Sequence, residues 1–214
     1  EVFSEWEEYV NRRWGLRSQE PSPYYTCCGF FSIPYGVVDN DFMLWDSLTE
    51  IICKYGYENR IGLQVDCAAD CYYHSDTQTY QGLFNGEVRT RDQQIDMILK
   101  MAKDFPFVII EDPMNENDYE GHAIITKETG IQIVGDDLFT TTTSRVNEGI
   151  RQNACNTVLL KVNQIGSITE ALEMIQVAYD HGYAVMPCSS RGESLDICDY
   201  SVGLNSGTIR ESSL

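Results

Sequence analysis

The chain has 214 residues, 43% hydrophobic and 22% charged, which excludes wholesale disorder and allows one domain with a sizeable core or two very small ones. Fifteen Lys and Arg against 33 Asp and Glu leave a net charge of −18. That charge repels phosphate backbones and anionic lipid, so no nucleic-acid and no membrane partner is expected. A small anionic substrate remains admissible where cations concentrate locally.

The opening Glu1-Val2-Phe3-Ser4-Glu5-Trp6 carries neither an initiator methionine nor a signal peptide, and is expected to be the cut end of a longer chain. Val2, Phe3, Trp6, Tyr9, Val10 and Arg13 predict a first helix ending at Gly15. Residues 16–39 show no period and are read as loop with one strand near 27–33. Leu44, Leu48, Ile51, Ile52 and Tyr55 predict a second helix ending at Gly56.

From there short apolar runs alternate with helical patterns. The expected strands are Ile61–Asp66, Phe107–Glu111, Ile131–Asp136, Val158–Lys161, Ala184–Cys188 and Gly207–Arg210. An excursion over 72–90, with an Asn85-Gly86 turn, follows the first of them. Thr90 with Gln93 forms a capping-box pattern ahead of Ile95, Ile98, Leu99 and Ala102. Ser167 with Glu170 repeats it ahead of Ala171, Leu172, Ile175, Ala178 and Tyr179. Helices of about 117–128, stopped by Gly130, and about 144–152 fill the remaining gaps. Such alternation predicts parallel strands in an α/β fold, as an open doubly wound sheet or a (β/α) barrel.

Spacing decides between them. Asp66, Glu111, Asp136 and Lys161 all end expected strands, 45, 25 and 25 residues apart, the first interval lengthened by the excursion. About 25 residues is one barrel unit, and barrel strand ends converge on the face where active sites are built. A single acid at a strand end is ordinarily a cap or a surface charge; three in register, followed by a lysine, are not readily accidental. Converging carboxylates repel one another unless a cation lies between them, and their oxygens suit a hard ion, Mg²⁺ first. Lys161 fits a general base beside that cation, for removal of a proton next to a carboxylate.

Eight cysteines, at 27, 28, 53, 67, 71, 155, 188 and 198, include no CxxC pair, and are expected reduced and mostly buried in a cytoplasmic protein. Cys67 and Cys71 read as core thiols before soft-metal ligands. His74 reads as a solvated loop residue, and His122 and His181 as surface or capping residues.

These residues carry a resemblance to the C-terminal barrel of the enolases, over roughly 150 residues from about 61 to 210. Gln64-Val65-Asp66-Cys67-Ala68-Ala69, Ile110-Glu111-Asp112-Pro113 and Val134-Gly135-Asp136-Asp137-Leu138 resemble the three metal-binding segments. Leu159-Leu160-Lys161-Val162-Asn163-Gln164-Ile165-Gly166 is close to an identity with the segment that bears the base. The resemblance implies a TIM-like barrel, here incomplete at both ends, spanning residues 1–214 and lacking the N-terminal lid domain. It implies Mg²⁺ held by Asp66, Glu111 and Asp136, with Lys161 removing the α-proton of a 2-phosphoglycerate-like substrate on the way to phosphoenolpyruvate.

Three departures bear on the second half of that reaction. Thr26-Cys27-Cys28-Gly29-Phe30 puts Cys27 where enolases carry a glutamate that helps expel the leaving hydroxyl. Cys188-Ser189-Ser190-Arg191-Gly192-Glu193-Ser194 replaces Ser-His-Arg-Ser-Gly-Glu-Thr, so the substrate-holding set becomes Ser189, Ser190 and Arg191. Arg210 stands for the family's lysine after the final strand. The expected partner is a small anionic carboxylate or phosphate substrate, with a homodimer left open. A diverged superfamily enzyme acting on another carboxylate acid, and a non-catalytic binding or structural relative, are the competing readings.

Overall fold

The structure is a computed structural model that describes residues 1–15, 35–82, 84–189 and 196–210. Two helices lead the chain, α1 (Val2–Trp14) and α2 (Phe42–Lys54). Helix α1 stops at Gly15, whose φ of 67° lies in the left-handed region that glycine enters freely. The Trp6 indole donates to Ser47 Oγ at 2.9 Å and ties the two helices together.

Strand β1 (Leu63–Asp66) is followed by β2 (Tyr73–His74), β3 (Thr79–Gln81) and β4 (Val88–Thr90). The last three form a small antiparallel sheet, so the excursion is a structured hairpin layer where loop was expected. Then come α3 (Arg91–Asp104), β5 (Phe107–Glu111), α4 (Tyr119–Thr129), β6 (Gln132–Gly135) and α5 (Thr143–Gln152). The chain continues through β7 (Thr157–Leu160), α6 (Val162–Ile165), α7 (Ile168–Asp180), β8 (Ala184–Pro187) and α8 (Asp196–Gly203). The first capping pattern forms in full and the second in half. Thr90 Oγ1 accepts the Gln93 N–H at 3.3 Å while Gln93 Oε1 accepts the Thr90 N–H at 2.9 Å. Ser167 Oγ accepts the Glu170 N–H at 3.2 Å.

The main sheet has the order β1-β5-β6-β7-β8, and every neighbouring pair is parallel. The order never reverses. A doubly wound sheet reverses and takes helices on both faces, whereas a barrel winds in one direction with its helices outside. This is the α/β arrangement of a partial (β/α) barrel. At the expected sixth strand, the described residues make one parallel bridge, Cys188 to Arg210, with the Arg210 N–H donating to the Pro187 carbonyl at 2.8 Å.

Period-two alternation sorts the strand side chains onto two faces. Ile110, Ile133, Val158, Leu160 and Val185 face the helices and join Ile98, Ile125, Val146, Met174 and Ala178 in the larger core. Ile109, Val134, Leu159, Met186 and Cys188 form a second cluster on the inner face. Register slips once, between Leu63 and Gln64, which lets Phe107 turn outward against Trp45 with ring centroids 5.2 Å apart.

Two expectations need correction. His122 is wholly buried, because α4 turns it toward the core and not to solvent. Among the described cysteines, Cys53, Cys71 and Cys198 are exposed, Cys67 is half-buried, and only Cys155 and Cys188 are buried. Helix and turn positions with no neighbour over them account for the exposed thiols. The strand expected near 27–33 lies outside the described residues. No helix among them is long and apolar enough to cross a membrane.

Candidate functional site

Three of the five residues of the second cluster have a charged residue two positions further along the chain, at or just past the strand end. Beyond Ile109 stands Glu111, beyond Val134 stands Asp136, and beyond Leu159 stands Lys161. The pleat therefore lifts an acid, an acid and a lysine one layer above an apolar floor, on one rim. Asp66 joins them across the β1–β5 pair, opposite Glu111 in register. Arg210 closes the row through its bridge to Cys188, which lies two residues beyond Met186.

The rim is dry. Glu111 is 0% exposed, Asp112 3%, Lys161 3% and Asp136 5%. Two cations answer the acids. The Arg210 guanidinium donates to Asp66 Oδ2 at 2.9 Å and, through its other terminal nitrogen, to Glu111 Oε1. The Lys161 ammonium pairs with Asp136 Oδ2. Asp66 Oδ1 also accepts the Ala68 N–H at 2.9 Å.

Asp112, next after Glu111, is a site residue that the strand-end pattern did not single out. Its Oδ2 accepts the Asp137 N–H at 2.8 Å, and its Oδ1 accepts the Asp136 N–H at 3.1 Å. It thus pins the turn that carries Asp136. Carboxylate oxygens of Asp66, Glu111 and Asp112 lie within 4.8 Å of one another, as do those of Asp112, Asp136 and Asp137. Asp112 belongs to both groups and bridges the three acids predicted from spacing.

Burial and its acidic neighbours, Asp66 first among them, outweigh Arg210 and push the Glu111 carboxyl up to about 9. Burial likewise holds Asp112 well above the usual carboxylate range, against the opposing N–H of Asp137. Glu111 Oε2 is buried with no hydrogen-bond partner. Four acids (Asp66, Glu111, Asp112, Asp136) face two cations, and the orphaned oxygen and the all-oxygen donor set fit a hard divalent cation, which would take the place of the protons that burial otherwise holds on Glu111 and Asp112.

The remaining predicted residues are less informative. The Ser189 backbone N–H donates to the Arg210 carbonyl at 3.1 Å, beside the same rim. Ser190, Arg191 and Cys27 lie outside the described residues. His74 is exposed, with Nε2 3.1 Å from Gln81 Oε1, and stands apart from the site.

The family described as "Enolase, C-terminal TIM barrel domain" matches residues 38–214. Among curated proteins, the enolase of Methanocaldococcus jannaschii is 45% identical over 167 residues, 77% of this chain and 38% of that protein. The enolase of Methanococcus aeolicus is 43% identical over 168 residues, 77% of this chain and 39% of its own length. That of Methanococcus vannielii is 43% identical over 185 residues, 85% of this chain and 42% of its own. The chain spans about two fifths of the length of the curated relatives it matches.

Proposed function

This chain belongs to the enolase family, and from that premise we propose that the full-length protein abstracts the α-proton of a 2-phosphoglycerate-like acid as a Mg²⁺-dependent lyase. The observation that carries this reading is the single rim on which buried Glu111, Asp136 and Lys161 stand beside half-buried Asp66, with one glutamate oxygen left unsatisfied. Asp66, Glu111 and Asp136 would hold the ion. Bound there, Mg²⁺ supplies charge to stabilise the dianion that α-proton loss creates.

Lys161 is the proposed base. The strand end and its burial fix its Nζ beside Asp136, out of bulk water. Arg210 offers a fixed positive charge to an anionic substrate at the same rim, with Ser189, Ser190 and Arg191 as further substrate-holding residues. The cytoplasm as compartment and a small anionic acid as partner belong to the same proposal.

A second reading, of proton abstraction on another carboxylate acid, is favoured by the substitution of Cys27 at the leaving-group position. A thiol does not simply replace a carboxylic acid there. Loss of one positioned acid lowers a rate by about 10²–10⁴-fold, so α-proton exchange is expected to outpace dehydration. The test follows deuterium uptake by NMR beside phosphoenolpyruvate formation, in Mg²⁺, for the full-length protein and Lys161→Ala. Exchange that exceeds elimination and vanishes in the variant is the expected result. Exchange that survives Lys161→Ala removes the lysine from its role, and no exchange in the parent points to a non-catalytic relative.

A further inference from the structure

Two consecutive threonines after β6 hold backbone angles that β-branched residues seldom adopt: φ is 47° at Thr140 and 51° at Thr141. Such strain persists only where the surroundings over-determine it. Thr141 is 0% exposed, and its hydroxyl sits between the two loops that carry Asp136 and Lys161. It accepts the Lys161 backbone N–H at 3.1 Å, and its own proton faces Gln164 Oε1 at 2.9 Å and the Leu159 carbonyl at 3.3 Å. Gln164 Nε2 in turn donates to Asp136 Oδ1 at 3.2 Å, while the Lys161 ammonium holds Oδ2 of the same carboxylate. The contacts close a ring: Asp136, Lys161, Thr141, Gln164 and back to Asp136.

We propose that Thr141 and Gln164 are positioning residues that fix Asp136 and Lys161 relative to each other and thereby set cation affinity and turnover. This deepens the functional reading above and rests on it for the identity of the cation. An amide side chain has one accepting and one donating end. The Thr141 proton takes its shorter contact, the accepting oxygen of Gln164 at 2.9 Å against the Leu159 carbonyl at 3.3 Å, so the donating nitrogen is left to face Asp136. Turned over, the amide would set its oxygen against a carboxylate oxygen, acceptor against acceptor. The hydroxyl therefore selects the orientation that aims Asp136. It does so from a strained residue because a glycine in that turn would relax the backbone and lose the hydroxyl. Through Gln164 the Asp136 carboxylate keeps a donor on Oδ1 when the lysine leaves Oδ2. Groups that orient a metal-binding carboxylate in this way change metal affinity or activity by about 10–100-fold when removed.

The experiment titrates Mg²⁺ by calorimetry into the full-length protein, Thr141→Val, Thr141→Ser, Gln164→Leu and the Val/Leu double variant, with kcat and KM for 2-phosphoglycerate beside it. Thr141→Val keeps the branch and removes the hydroxyl; Thr141→Ser keeps the hydroxyl. Expected are about tenfold weaker Mg²⁺ binding and a lower kcat in Thr141→Val and in Gln164→Leu, with KM little changed. The double variant should be no worse than either single, because both act along one path, and Thr141→Ser should match the parent. Losses that multiply in the double variant, parent-like binding by either single, or Thr141→Ser as impaired as Thr141→Val overturns the proposal. A parent that binds Mg²⁺ without turning over refutes the functional reading alone, and the binding series still decides the ring. A parent that does not bind Mg²⁺ refutes both.

Discussion

Glu111 and His122 are both wholly buried, and each keeps one polar atom, Oε2 and Nε2, without a hydrogen bond. Their surroundings differ. Glu111 sits among other acids at the rim, where a cation would satisfy it. His122 sits on α4 with its other ring nitrogen, Nδ1, 2.8 Å from the Asp118 carbonyl, and burial lowers its pKa to about 4. That histidine is a stability element. An unfolded histidine takes up its proton near pH 6.5, and the folded one resists until about 4, so the unfolded state binds more protons between those values. Stability is present above the upper value and lost as pH falls toward the lower. At pH 5 the loss from this residue is about 2 kcal/mol. Urea unfolding at pH 7.5 and pH 5 should show the gap between the parent and His122→Leu narrowing by about that amount; a gap independent of pH would contradict it. In the sequence His122 was indistinguishable from a surface histidine, since helix pattern alone does not say which neighbour covers a given face. Thr141 and Gln164 were hidden for a related reason: their meaning lies in hydrogen bonds between two loops, which no spacing encodes.

The parallel strands were the most legible elements. Phe107–Glu111 forms with the expected bounds, and β1, β6, β7 and β8 lie within or one residue off theirs. Their apolar runs are short, capped on both sides and repeated at barrel intervals, so local and global signals agree. The antiparallel layer of β2–β4 was not legible, because strands of two or three residues leave no countable alternation. Nor was the seat of Phe139, three residues past Asp136 and 0% exposed. A Cβ at Gly149 on α5 would come within 2.3 Å of the Phe139 ring, and one at Gly135 within 2.6 Å. Two glycines thus make room for the ring that anchors the Asp136 turn between β6 and α5. Gly149→Ala should therefore lower unfolding free energy by about 1–3 kcal/mol, although alanine is the better helix former. Denaturant melts of the two proteins check this, and equal or greater stability in the variant would show that the ring has room to move.

At the scale of the molecule, one-way strand order and the pleat do the functional work together. Winding without reversal brings the carboxyl ends of β1, β5, β6 and β7 to a common rim, and period two selects Glu111, Asp136 and Lys161 from their runs. The regular interval between those residues was the sequence's image of this geometry. The net charge of −18 adds a background that favours cation uptake and disfavours close packing of acids without it.

The central claim is that the rim is a divalent-cation site. Glu111→Gln addresses it with least disturbance: because the ion-free carboxyl is pushed up to about 9, it holds its proton at neutral pH, and the amide imitates that state. Calorimetric titration of Mg²⁺ into parent and variant at pH 7.5, with thermal melts in the absence of the ion, is the most direct measurement. The account predicts millimolar or tighter binding by the parent, binding at least about tenfold weaker in Glu111→Gln, and an ion-free melt in the variant no lower than the parent's. Equal Mg²⁺ binding by the two proteins would contradict it.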